Sequence, residues 1–297
     1  MTNHSIGDGD IPPRNSASRG LVRGMTFGGE YSARNYTVRD LRQQKGTCIL
    51  AETLPFTVEE AMAAEEAGID TMKVRFNPCD PATAVAIRRA APKTFMAFSV
   101  PLTSAATNVE AVRLGLQAME LGADAIMCQW PKRFIESAAE VGIPVQGHVG
   151  LIPRKSTWTG GLRAAGNTIE QARWVFDEIK ALENAGAYAV EVEVIPEDLL
   201  IEISKRTNLI TSSIGAGRGG DIIFLFAEDI LGNHPPPHPR HSKQYRNIHQ
   251  KLANVQRERV AGFQDFINDV RGGGFPETKH TIKTPDGLIT QFLDGLD

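Results

Sequence analysis

The chain is poor in cysteine and has no long apolar run. Cys48, Cys79 and Cys128 are the only thiols in 297 residues, and no two stand in the C-x-x-C spacing of a zinc or redox site. An odd, scattered set gives no disulfide framework either. The longest uninterrupted apolar stretch is Ile222–Ala227, far short of the ~20 residues that a membrane-spanning helix needs. Positive charge is not in excess. The formal net charge of −3 lacks the basic footprint of a nucleic-acid binder. The first 20 residues hold Gly, Pro, Asn and Ser but no apolar core of a secretory signal. A cytoplasmic chain with a frayed N-terminus is the expectation.

A hydrophobic share of 41% with 23% charged residues fits an ordinary globular protein, and the length allows one or two domains. Runs rich in β-branched residues alternate with helical patterns. The expected strands are Thr47–Glu52, Thr71–Val74, Thr94–Ser99, Ala125–Gln129, Pro144–His148, Ala189–Glu193, Leu209–Ser213 and Ile222–Ala227. Helices follow at about Val58–Ala67, Pro81–Ala91 (Asp80 as N-cap), Asn108–Leu121, Pro131–Val141, Thr168–Ala185 and Glu197–Arg206, with a long one near Asn247–Val270. Gly68, Gly122, Gly142 and Gly186 stand where helices must stop.

Eight strand–helix beats predict an α/β fold, a single (β/α)8 TIM-type barrel over residues 46–276. An extended N-terminal arm (1–45) precedes it, and a C-terminal helix leads into a tail (277–297). A doubly wound open sheet is the alternative, but no G-x-G-x-x-G follows the first strand.

In such a barrel the chemistry collects where the strands end at their C-terminal side. Those ends read Glu52, Arg75-Phe76-Asn77, Ser99, Gln129, His148, Glu193, Ser212-Ser213 and Glu228-Asp229. Glu191 and Glu193 share a strand face. Glu193 is either salt-bridged to a loop cation or a general acid or base, since burial raises a carboxyl pKa. His148, between Gly147 and Gly150, either pins its loop or donates to a substrate oxygen. Gly215–Gly220 (GAGRGG), with Arg218, is an anion-binding turn or only a tight turn. The histidines of His234–His241 (HPPPHPRH) lie in a proline-rich interaction loop, and no metal ligands are assigned.

Several phrases together resemble the ketopantoate hydroxymethyltransferase family, within the phosphoenolpyruvate mutase and isocitrate lyase type of barrel. Gly142–Gly161 (GIPVQGHVGLIPRKSTWTGG) is similar to its Gly-Ile-Pro-Val-x-Gly-His-x-Gly-Leu-x-Pro signature. Ala181–Pro196 (ALENAGAYAVEVEVIP) resembles its Leu-Glu-x-Ala-Gly-Ala run and the Leu-Glu-Cys-Val-Pro strand, and Ser213–Asp221 resembles its Gly-Ile-Gly-Ala-Gly turn. Phe275-Pro276 resembles its Tyr/Phe-Pro ending. The resemblance implies transfer of a hydroxymethyl group from methylenetetrahydrofolate to the carbon beside the carbonyl of a 2-oxo acid, with magnesium chelating the oxo acid. It places Glu193 on the catalytic glutamate and His148 on the motif histidine, and it implies a homo-oligomer.

The first half departs from that pattern. Arg75-Phe76-Asn77 stands for Gly-Asp-Ser, Phe98–Leu102 for Ala-Asp-x-Pro-Phe, and Ile126–Trp130 for the Val-Lys-x-Glu-Gly-Gly strand. Neutral groups thus replace the carboxylates that a hard cation requires, so magnesium is not expected. The expectation is a diverged, metal-free enzyme that makes or breaks a C–C bond beside the carbonyl of a small oxo-carboxylate. Arg75 would clamp the carboxylate. Glu193 would move the proton, while His148, Asn77, Ser99 and Gln129 hold the oxygen. Glu52 would bind substrate or act as a second acid/base group, and Lys73 is a weaker candidate for a Schiff base. A genuine hydroxymethyltransferase and a non-catalytic ligand-binding barrel are the alternatives. No membrane or nucleic-acid partner is expected.

Overall fold

The computed structural model describes residues 20–296, and the expectations made for residues 1–19 lie outside them. The stretch expected as an arm begins with an antiparallel hairpin, β1 (Val22–Met25) and β2 (Tyr31–Arg34), followed by helix α1 (Val38–Gln44). Thr37 caps α1 in a reciprocal box with Asp40.

Eight parallel strands then close on themselves. They are β3 (Leu50–Leu54), β4 (Thr71–Arg75), β5 (Phe95–Ser99), β6 (Ala125–Met127), β7 (Val145–Gly150), β8 (Ala189–Glu193), β9 (Ile210–Ile214) and β10 (Ile222–Phe226). Each runs beside its sequence neighbour, and β10 closes the ring against β3. This is the (β/α)8 barrel that the alternating pattern predicts. The outer helices are α2 (Val58–Glu66), α3 (Ala82–Ala90), α4 (Asn108–Glu120), α5 (Lys132–Glu140), the short α6 (Ser156–Thr159), α7 (Ile169–Asn184), α8 (Glu197–Ser204) and the brief α9 (Ala227–Leu231). Thr57, Thr107 and Thr168 each accept a hydrogen bond from the backbone N–H three residues on, which starts α2, α4 and α7. Asp80 does not cap α3; Pro81 takes that position without a side-chain bond. The last two beats are incomplete, because a 3-10 turn at Gly217–Gly219 follows β9 and α9 has a single turn and a half.

The larger apolar core lies between strands and helices, where Phe76, Phe98, Ile126, Val190 and Ile179 are buried. A second cluster joins Leu50, Phe95, Met127, Tyr188 and Ile210 to Tyr36 and to Leu41 of α1, so α1 packs on strand residues rather than trailing free. Residues Met1–Leu231 and Pro236–Tyr245 form one compact unit. A second unit holds α10 (Ile248–Gly272) and α11 (Leu288–Asp294). Leu252, Val255, Val260, Phe263, Phe266 and Val270 make an exposed stripe along one face of α10. Among the described residues no helix is long and apolar enough to cross a membrane.

Candidate active site

The parallel register of β7 and β8 sets His148 opposite Glu191 and Gly150 opposite Glu193. The pleat therefore turns His148, Glu191 and Glu193 to the same, inner side of the barrel. His148 Nε2 lies 3.1 Å from Glu193 Oε2, and His148 Nδ1 lies 3.6 Å from Glu191 Oε1. The Gln129 side-chain amide is 3.0 Å from Nδ1. The Gln129 amide thus occupies Nδ1, and Nε2 is the ring nitrogen turned to Glu193. The Nε2 group is buried and no hydrogen bond of good alignment satisfies it.

The backbone around Glu193 is unusual. Val194 takes φ +50°, a left-handed conformation that a β-branched residue rarely adopts. Gly150 has φ +87°, and a Cβ there would stand 2.2 Å from the Glu193 carbonyl oxygen. The Leu151 N–H donates to that same oxygen at 2.8 Å. The glycine of the GHVG phrase thus lets β7 approach the end of β8 closely enough to fix Glu193. Strain of this kind collects at functional sites, where the surrounding structure holds it.

Below this pair sits a charged cluster that no single strand's pattern marks. Lys73 of β4, fully buried, donates to Glu191 and stands 3.0 Å from Glu52 Oε2. Its Nζ also lies 3.4 Å from Ser212 Oγ and 3.9 Å from the centre of the Phe224 ring. Burial alone would push the Lys73 pKa down, but the carboxylates of Glu191 and Glu52 outweigh it and hold the ammonium above the ordinary lysine range. Burial likewise favours a neutral Glu191, yet Lys73 and then His148 bring its carboxyl below the usual range. A permanent ammonium is a poor Schiff-base nucleophile.

A cavity of about 670 Å³ opens above the cluster. Arg75, Asn77, Ser99, Gln129, His148 and Glu193 all line it. Arg75 is exposed, with its guanidinium 4.6 Å from the Phe56 ring centre. The Asn77 side-chain oxygen accepts from the Cys79 N–H at 3.1 Å, which orients it in the loop. Glu52 is not among the lining residues. Strand β3 runs to Leu54, so Glu52 lies mid-strand and pairs with Thr71, the first residue of β4. The stagger of the barrel puts it one layer too deep, and Thr71, Ser212 and Lys73 occupy its oxygens. Arg154 and Asp80 line the cavity as well; both come from loops, where no periodicity marks them.

Two other features carry less. The Arg218 N–H in the glycine-rich turn donates to Glu197 Oε1 at 2.8 Å, so the chain's own carboxylate takes a bond that an anion would need. The Cys128 thiol is buried and pushed up to about 12, which leaves no thiolate nucleophile.

His148, Glu191 and Glu193 each bring one ligand atom to within 4.8 Å of the others. Lys73 already holds Glu191. The remaining donors are one imidazole and one carboxylate, a poor set for magnesium, which takes oxygen ligands in near-octahedral array.

Residues 61–278 match the ketopantoate hydroxymethyltransferase family. The chain is 29% identical over 265 residues to the 3-methyl-2-oxobutanoate hydroxymethyltransferase of Thermotoga maritima, covering 82% of this chain and 96% of that one. It is 30% identical over 268 residues to the enzyme of that name from Pyrobaculum calidifontis, covering 83% and 98%. Among solved structures, 2,3-dimethylmalate lyase, of the phosphoenolpyruvate mutase and isocitrate lyase superfamily, superposes with a TM-score of 0.48 at 14% identity, covering 87% of this chain and 93% of that one.

Proposed function

The chain belongs to the ketopantoate hydroxymethyltransferase family, and from that premise we propose an enzyme that forms or breaks a C–C bond beside the carbonyl of a small 2-oxo acid without a divalent metal. The observation that carries this reading is the Glu193–His148 pair, 3.1 Å apart, facing a cavity that also holds the Arg75 guanidinium.

Arg75 binds the substrate carboxylate, where a planar fork can make two parallel charge-assisted hydrogen bonds. Glu193 takes the proton from the carbon next to the carbonyl. His148, Ser99, Asn77 and Gln129 stabilise the oxygen on which charge develops. Buried beneath them, the Lys73 ammonium offsets the charge of Glu191 and Glu52 and holds Glu191 in place beside the His148 ring. Family membership supports methylenetetrahydrofolate as the one-carbon donor: the enolate carbon would bond to its methylene carbon, water would supply the hydroxyl as the bond to the folate nitrogen breaks, and tetrahydrofolate would leave. The donor set does not fit magnesium, and no step here runs through it. The exposed apolar stripe of α10 supports a homo-oligomer, since a stripe of that size is rarely left in water.

The test is calorimetric titration of 3-methyl-2-oxobutanoate into chelator-treated protein, together with elemental analysis. The reading expects binding without metal and a loss of roughly ten- to a hundredfold in affinity in Arg75→Ala, the size of a charge-assisted bond. Binding that appears only on adding magnesium, at one ion per chain, overturns it and restores a metal-dependent reaction held by His148 and Glu193.

A further inference from the structure

The charges around the mouth of the cavity are distributed unevenly. Its lining runs from Arg75, at the end of β4, past the ends of β5 and β6 to Arg154 in the turn after β7. The ends of β5 and β6 contribute Ser99, Val100, Leu102, Met127 and Gln129, all of them neutral. A guanidinium thus stands at each end of a neutral arc. Both arginines are exposed, and among the described residues neither forms an ion pair with a carboxylate.

The acidic groups of the cavity are engaged elsewhere. Lys73 holds Glu191, and Glu193 lies against His148. Asp80, in the loop after β4, lines the cavity but pairs with neither arginine. A monocarboxylate neutralises Arg75 and leaves Arg154 without a counterion. Two like charges lining one hollow add their fields and favour a dianion over a monoanion. The space allows it, because a cavity of about 670 Å³ holds ligands well larger than 3-methyl-2-oxobutanoate. The apolar side chains of the arc suit the methylene groups that would join two carboxylates. A ligand clasped by both guanidiniums ends at the turn that follows the His148 strand.

The geometry points to a dicarboxylic 2-oxo acid as the substrate class, with Arg75 on the carboxylate beside the carbonyl and Arg154 on the carboxylate at the far end of the chain. It rests on the reading above for the role of Arg75. Arg154 is then the residue that selects a diacid over a monoacid, since its fork can meet a carboxylate in two parallel hydrogen bonds.

The experiment is calorimetric titration of the intact, chelator-treated protein with 2-oxoglutarate and with 2-oxopentanoate, which has the same carbon chain without the distal carboxylate. 2-Oxoadipate and 2-oxohexanoate form a second such pair with a longer chain. In at least one pair the diacid binds roughly tenfold or more tightly than its monoacid, the size of a charge-assisted hydrogen bond. That gap closes in Arg154→Gln, while both monoacids bind as before. Arg75→Ala weakens diacid and monoacid alike. The gap narrows at high salt, because the second contact lies in the open mouth. Equal affinity for diacid and monoacid in both pairs overturns the inference, as does a gap that survives in Arg154→Gln. So does an Arg154→Gln variant that melts lower and loses affinity for all four acids, because the guanidinium would then serve only the loop. A diacid gap without deuterium exchange at C3 of the bound diacid removes the C–C reading and leaves the second carboxylate contact standing. Binding of 3-methyl-2-oxobutanoate with no gap in either pair leaves that reading standing and overturns only this inference.

Discussion

Lys73 and Glu191 share a hydrogen bond at the centre of the barrel, between strands that are 118 residues apart in sequence. The bond lies one strand step below the Glu193–His148 pair, because Glu191 and Glu193 are alternate residues on one face of β8. A buried ammonium between Glu52 and Glu191 is a structural commitment. The three charges are tolerable only together, since removing one partner from a buried ion pair leaves the other uncompensated.

Replacing Lys73 by Met tests this directly. Unfolding in urea should show a loss of about 3–5 kcal/mol at neutral pH. The variant should also regain stability as the pH is lowered from 8 to 5. Without the ammonium, two desolvated carboxyls face each other, their folded pKa values rise above the unfolded ones, and protonation then favours the fold. A variant whose stability falls on acidification over that range would contradict the assignment.

The unaltered protein should behave in the opposite way. Glu191 titrates below its ordinary range in the fold, so its contribution is complete above the unfolded carboxyl value near 4.3 and is lost as the pH falls through the folded one. Lys73 titrates above its ordinary range. Its contribution is complete below about 10.4 and is lost as the pH rises past the folded value. Melting curves across pH should therefore show a plateau from about 5 to 10 from this pair, with losses at both ends.

Gly150→Ala should be severe for so small a change. The φ of +87° alone costs an alanine about 1–3 kcal/mol, and the added methyl meets the Glu193 carbonyl. Thermal melting should drop, and turnover should fall by more than the loss of folded protein accounts for, because Glu193 shifts.

Val194→Gly should separate stability from activity. Releasing a left-handed φ at a β-branched residue gains about 1–2 kcal/mol, offset by about 0.5–1 of glycine entropy. Melting should hold or rise slightly, while kcat falls because the carboxylate beside it is less fixed. A lower melting temperature with full kcat would mean that the strained residue does not hold Glu193 in place.

The barrel was legible because its signals are local. Glu193 closes a run of alternating Val and Glu before Pro196 and ends β8 as expected, while β7 continues to Gly150, two residues past the expected end at His148. The Lys73 cluster had no such signal. Its members sit on β3, β4, β8 and β9, and only ring closure brings them together. Glu52 was misplaced for a related reason. Reading β3 as Thr47–Glu52 ends it two residues early, and barrel stagger, which no single strand encodes, then sets its depth. The N-terminal hairpin has no such local signal, because its four-residue strands carry no clear apolar alternation and none of their residues is buried.

The central claim is that Glu193 moves a proton beside the carbonyl of a 2-oxo acid without a divalent cation. Its most direct test is solvent deuterium exchange at C3 of 3-methyl-2-oxobutanoate, followed by NMR, in protein freed of metal with a chelator. The account predicts exchange that persists in the chelator, is unchanged by added magnesium, and falls about 10²–10⁴-fold in Glu193→Gln. Exchange that stops in the chelator and returns with magnesium would contradict it.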